Sequence, residues 1–198
     1  MKTSYNNTED LRIIKTKKAI IKAFWDLLYE KNIEDISITS ICQLAMVNRS
    51  TFYLHFEDKN QLLLQSIYDA MFKVNQEAIE LCKTDSVKEY YEVIGDLTFN
   101  LLTKNKERYR TILSHNDVNL FIEPAQSFLS LNISRHIKEL KVTSTTLDLP
   151  SSLISEFYSG GIISLAKWWV FTDLYVPHEK LMKLINILLE SFLQVTTR

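Results

Sequence analysis

Among side chains that do chemistry, the histidines and cysteines are arranged in ways that argue against a reaction. His55, His115, His136 and His178 are scattered through 198 residues, with no partner at the spacing that metal binding or nucleophilic catalysis requires. His115 and Asp117 are close enough to co-ligand a metal, but a pair on an exposed loop is the better account of them. Cys42 and Cys82 lie far apart and outside any C-x-x-C arrangement, so they read as reduced, mostly buried thiols rather than a disulfide. With 3 glycines in the whole chain there is no glycine-rich loop to cradle a phosphate. The expectation is a protein that is not an enzyme, holds no metal and needs no cofactor.

The spacing does support recognition. In Arg49-Ser50-Thr51-Phe52-Tyr53-Leu54-His55-Phe56, the two phenylalanines stand four apart and can anchor one helical face, with Val47 beside them. The opposite face shows Arg49, Ser50 and Tyr53, with Thr51, Leu54 and His55 at its margins. Small polar, aromatic and cationic groups on one face suit base edges and phosphates of double-stranded DNA. Periodicity alone allows an ordinary amphipathic helix equally well.

The elements that would carry this face follow from the rest of the N-terminal third. Thr8 is a plausible N-cap, and Ile13, Ile20, Phe24, Leu27 and Leu28 recur at helical spacing from Glu9 to Lys31. Asn32 suits a left-handed C-cap. Ser37 opens a short helix to about Ala45, with Ile38, Ile41 and Leu44 on its buried side. Asn48 caps another over Arg49–His55, and Asp58 caps a long one to about Cys82. Two short helices joined at Ala45–Asn48 have the form of a helix-turn-helix.

The run Ile41-Cys42-Gln43-Leu44-Ala45-Met46-Val47-Asn48-Arg49-Ser50-Thr51-Phe52-Tyr53-Leu54-His55-Phe56-Glu57-Asp58-Lys59 resembles the signature of the tetracycline-repressor (TetR) family, approximately I-A-x-x-A-G-V-S-x-x-T-x-Y-x-H-F-x-x-K. Ile41, Ala45, Val47, Thr51, Tyr53, His55, Phe56 and Lys59 fall in register. Thr16-Lys17 and Ala23 are similar to the family's first helix, so the resemblance covers about residues 10 to 65. It implies that Ser37 caps the second helix and turns backbone amides toward a phosphate. Thr51, Tyr53, His55 and Lys59 match positions that hold the DNA backbone. Arg49 and Ser50, with Thr39 behind them, match positions where base contacts are expected, and Arg49 is suited to guanine O6 and N7. For His55 a partly buried histidine donating a hydrogen bond is the alternative. Asn32 and Met46 depart from the family, which has glycine at both; positive φ at Met46 would cost on the order of 1 kcal/mol.

Beyond residue 82 the chain reads as helices near 86–103, 105–114, 124–140, 151–174 and 178–196, giving an all-α protein of about nine helices. The low count of 3 Gly and 3 Pro agrees, and Lys141–Pro150 is expected to be a mobile loop. The expected division is a DNA-binding domain over 8–58 and a helical effector-binding and dimerisation domain over 59–198. Leu181, Leu184, Ile185, Leu188, Leu189, Phe192 and Leu193 form a stripe, and the preceding helix from Phe157 to Phe171 is apolar nearly all round. Such a pair calls for a second copy of itself, with Gly161, Leu165, Leu181, Leu184, Leu188 and Phe192 at a homodimer interface. Gly160-Gly161 hints at close approach of another backbone, or at local bending. The stretch Phe157-Tyr158-Ser159-Gly160-Gly161-Ile162-Ile163, with Trp168-Trp169, is similar to a TetR subgroup that includes a dihydroxyacetone-kinase regulator. Phe99, Tyr109, Phe121, Phe128, Phe157, Tyr158 and Trp168 are candidates to line a pocket for a small, mostly apolar effector of unknown identity, although aromatics also fill ordinary cores.

Charge adds little. The net charge is −1, with 9 Lys or Arg against 8 Asp or Glu over residues 1–60, which leaves +1 there and −2 beyond. Arg12, Lys15, Lys17, Lys18 and Lys22 have no acidic residue among them, a run that most simply forms a solvated helix face. No apolar stretch resembles a signal peptide or a membrane span, so a soluble, cytoplasmic protein is expected. The expected function is a homodimeric repressor released from a palindromic operator by an effector. The alternative is a coactivator of the same fold controlled by a partner protein.

Overall fold

The computed structural model describes residues 4–83, 87–139, 150–173 and 176–196, which form nine α-helices and one 3-10 turn with no strand among them. These are α1 Ser4–Glu30, the 3-10 turn Ile33–Asp35, α2 Ile38–Ala45, α3 Arg49–Tyr53, α4 Lys59–Leu81, α5 Val87–Lys104, α6 Lys106–His115, α7 Asn119–Glu139, α8 Ser151–Phe171 and α9 His178–Thr196. The protein is all-α, as expected. The loop expected at Lys141–Pro150 lies, through residue 149, outside the described residues. No described helix is long and apolar enough to cross a membrane.

Contacts divide the chain into two compact units: Met1–Ser66 with Thr111–Val118, and Ile67–Arg110 with Asn119–Arg198. In the first, Ile20, Phe24 and Leu28 are fully buried at i, i+4, i+8 on α1, with Ala23 and Leu27 beside them. Each large side chain so buried contributes about 1.5–3 kcal/mol. Ile13, expected on that stripe, is half exposed. Asn32 is not left-handed. It is extended at φ −64°, ψ 147° and caps the 3-10 turn, its Oδ1 accepting from the Glu34 amide at 2.9 Å. An Asn side chain that mimics a backbone turn in this way removes the need for positive φ.

The end of α6 belongs to the same unit. The Asn32 amide group donates to the His115 carbonyl at 2.6 Å, and the buried Ile33 N–H donates to Asn116 Oδ1 at 2.7 Å. Asn116 is itself buried, its amide nitrogen donating to the Ile112 carbonyl at 2.8 Å. α4 starts as expected from Asp58, whose carboxylate accepts from the amides of Asn60 and Gln61 at 2.8 and 2.7 Å.

The second unit is built on Ala78, Tyr90, Tyr91, Phe99, Ile133, Ile154, Trp169, Leu181, Met182 and Ile185. Gly95 lets α5 approach α9, since a Cβ there would meet Met182 Cε at 3.0 Å. α8 ends at Thr172, which is extended, and α6 caps it. Lys106 Nζ donates to the Thr172 carbonyl at 2.6 Å, while Arg110 donates to the Phe171 carbonyl at 2.8 Å and to Asp173 at 2.7 Å. Cations on the last carbonyls complement the helix dipole. Helix α7 begins at Asn119, earlier than the expected 124, and holds Pro124 inside. The proline suggests a first helical position, but here it sits in the second turn and forfeits one ladder bond.

Candidate nucleic-acid interface

Helix α2 begins at Ser37, which is extended and accepts the Ser40 amide on its Oγ at 3.0 Å. The first-turn amides of Ile38 and Thr39 have no intrahelical partner by the geometry of a helix start. At the other end the Val47 amide reaches the Cys42 carbonyl at 3.0 Å and the Met46 amide the Gln43 carbonyl at 3.2 Å. This pair of bonds is a Schellman closure, which needs a left-handed residue where Met46 stands. Met46 adopts φ 56°, ψ 42°, the one positive-φ residue found outside glycine among the described residues. Its side chain is 93% exposed.

The chain leaves this turn into α3. Asn48 is extended and accepts the Phe52 amide on its carbonyl, but its side chain makes no capping bond. Phe52 and Phe56 are buried with ring centroids 5.8 Å apart and fix the inner face. Arg49, Ser50, Tyr53 and Leu54 are exposed, Thr51 and His55 half-buried. Arg49 donates to the Tyr53 hydroxyl at 3.5 Å, and this bond raises the guanidinium's affinity for its proton. Beneath the face, burial pushes the Cys42 thiol up against the weaker pull of Arg49, which keeps it protonated and inert. Leu44, expected on the buried side of α2, is half exposed instead; Ile41 and Cys42 fill that side.

Lys59 is placed differently from the expectation. Its ammonium donates to the carbonyls of Ile33, Glu34 and Ile36 at 2.8, 3.2 and 3.3 Å and lies 3.9 Å from the Glu34 carboxylate. An ammonium has three N–H bonds, and all are taken. Lys59 ties the 3-10 turn ahead of α2 rather than presenting a cation to a phosphate. Asn32, Asn116 and Lys59 together fix this turn, a role that local spacing does not signal, since these bonds join residues 23 to 83 positions apart.

Two family models match the chain. One, for bacterial regulatory proteins of the tetR family, covers residues 20–65, and the other, for the transcriptional regulator C-terminal region TetR_C_8, covers residues 89–191. The chain belongs to the TetR family. This TetR-family chain is 40% identical over 55 residues to YxbF of Bacillus subtilis, an uncharacterized HTH-type transcriptional regulator, and 42% identical over 48 residues to DhaS of Lactococcus lactis, the dhaKLM operon transcriptional activator. Those matches span 27% and 24% of this chain and 14% and 26% of the relatives' own lengths. The crystal structure of a TetR transcriptional regulator from Streptococcus agalactiae superposes with a TM-score of 0.61 at 26% identity, covering 92% of this chain and 98% of that one. Both matched models describe bacterial transcriptional regulators.

Of the aromatics expected around an effector, Phe99 and Tyr158 share one core, whereas Phe157 and Trp168 are exposed. Phe99 is in the core against Trp169, Phe121 is buried, and Tyr109 and Phe128 are half-buried, with burial pushing the Tyr109 hydroxyl up. Tyr158 packs on the ring of Phe157, but Phe157 is 75% exposed, and Trp168, three turns further along α8, is exposed as well. Side chains on the outer arc of a helix cannot line a cavity inside their own chain. An open cleft on α7 is lined instead by Leu131, Ser134, Arg135 and Lys138.

Of the residues expected at a dimer interface, Gly161 meets nothing within 4 Å at its Cβ position, and Leu184 and Leu188 are exposed. Leu181 faces inward at 3% exposure, and Leu165 packs on the same core. Leu181 therefore comes off the expected interface. Phe192 lies on α9, but its side chain, like those of Leu189 and Leu193, is outside the described set.

Proposed function

We propose that the chain is a homodimeric repressor that reads a palindromic operator through α3 and is released by a small-molecule effector. The observation that carries the reading is the outer face of α3, with Arg49, Ser50 and Tyr53 exposed over the buried pair Phe52 and Phe56. A guanidinium at the start of a reader helix suits the O6 and N7 of guanine, while a serine and a tyrosine hydroxyl suit phosphates and neighbouring edges. Ser37, Thr51 and His55 flank that face as backbone contacts, and Thr39 stands behind the base-contacting pair Arg49 and Ser50. Two copies joined through the exposed apolar residues of α8 and α9 would present two readers, with half-sites roughly 34–36 Å apart.

The test is binding to duplexes selected from a random library. Arg49→Ala is expected to cost about 1–3 kcal/mol at the selected site and to relax preference at one base per half-site. Equal loss on selected and random DNA would make Arg49 a phosphate contact instead. An activating role is the second reading, favoured by the 42% identity to a relative described as a transcriptional activator. Under it, a partner protein rather than a small molecule changes operator occupancy. Adding metabolite pools and cell protein fractions separately to the operator complex distinguishes the two.

A further inference from the structure

Leu54 caps the C-terminal end of α3. Its amide donates to the Ser50 carbonyl at 3.2 Å, and its own backbone stays helical at φ −73°, ψ −19°, so the helix geometry fixes where its side chain points. Successive side chains turn by about 100°. With Phe52 and Phe56 marking the inner face, Ser50 and Leu54, four apart, fall opposite it, while Arg49 and Tyr53 stand to one side. The leucine is 83% exposed, so in the single chain nothing covers it. A lone exposed leucine is ordinary on a protein surface. At the centre of a face laid in the major groove it is not, because it will be buried against a base pair on binding.

We infer that Leu54 is a specificity residue that reads the C5-methyl group of thymine, an assignment that rests on the proposed entry of α3 into the major groove. Among the four base-pair orientations, only those with thymine present an apolar group in that groove. Leucine has no donor or acceptor. Against cytosine N4 or guanine O6 it would strip water from a polar edge and return no hydrogen bond, which penalises those pairs. Against the thymine methyl it buries apolar surface on both sides. The half-site accordingly carries a thymine next to the base pair read by Arg49.

The experiment uses the full chain and duplexes selected from a random library. Each thymine of the selected half-site is replaced singly by deoxyuridine, which removes the methyl and keeps the pairing. At one position per half-site, binding is expected to weaken about fourfold, the worth of one buried methyl. Leu54→Ala is expected to keep the wild-type melting curve, bind that site more weakly, and lose the sensitivity to deoxyuridine at that position alone. The inference is overturned if no thymine shows methyl dependence, if the selected site has none, or if Leu54→Ala retains the full dependence. Failure to select any duplex would instead remove the DNA-reading proposal itself, and this inference with it.

Discussion

Met46 is held left-handed by two backbone bonds that close α2, and its side chain has nothing to rest on. Glycine would keep the bonds and drop the Cβ strain. Met46→Gly is expected to raise stability by about 1 kcal/mol, read as a higher urea midpoint at unchanged slope. A lower midpoint would mean that the methionine is packed after all. Lys59 makes the opposite case. Lys59→Ala would leave the Glu34 and Ile36 carbonyls without this donor, while the Ile33 carbonyl keeps the Ile36 amide, and a loss of about 1–3 kcal/mol is expected. The salt dependence of DNA binding should stay as it was, because the ammonium is already engaged. Flattening of the slope by about one unit, with no change in melting, would return Lys59 to the phosphates. That Arg49, Ser50 and Tyr53 stay exposed was legible in the sequence because Phe52 and Phe56 mark the inner face at a spacing of four, but Leu54, expected at the margin of the outer face, stands opposite the phenylalanines and is 83% exposed. The place of Lys59 was not legible, because its acceptors lie 23 to 26 residues earlier in a turn that no composition cue announces.

At the level of elements, helices were readable wherever an apolar stripe repeats at 3.6, and their ends were less so. Pro124 looked like the opening of α7 and proved internal, and the 3-10 turn at Ile33–Asp35 was unforeseen because three residues are too short for periodicity. Helix α5 carries a testable consequence of its packing. Tyr90 and Tyr91 are buried on it, Tyr90 donating to Asn75 Oδ1, and burial pushes Tyr90 up to about 12 and Tyr91 higher still. The fold favours the neutral phenols. Their contribution to stability is complete below about pH 10, where the unfolded groups would ionise, and is lost as pH climbs from there through about 12. Helix content followed by circular dichroism should fall over that range, and Tyr91→Phe should delay the fall. Tyrosinate absorbance that develops fully near pH 10 with the helices intact would contradict this account.

For the whole molecule the informative contrast lies on α9. Its apolar residues form one broad stripe, from which the sequence assigned Leu181, Leu184, Leu188 and Phe192 to a partner. The structure buries Leu181, Met182 and Ile185 and leaves Leu184, Ile187 and Leu188 outside. If the exposed set joins two copies, Leu188→Glu should give a folded monomer in sedimentation, whereas Leu181→Glu should unfold the second unit. A Leu188→Glu protein that remains a dimer would exclude this face as the joint. The return of residues 111–118 to the reader unit has a separate consequence, for modularity. A gene fragment cut after residue 66 would encode every outward residue of α3 yet leave the Ile33 amide without Asn116, its acceptor 83 positions downstream. A reader grafted onto another body would therefore have to bring that octapeptide along. Recombination at the obvious seam would separate the face from one of its own supports.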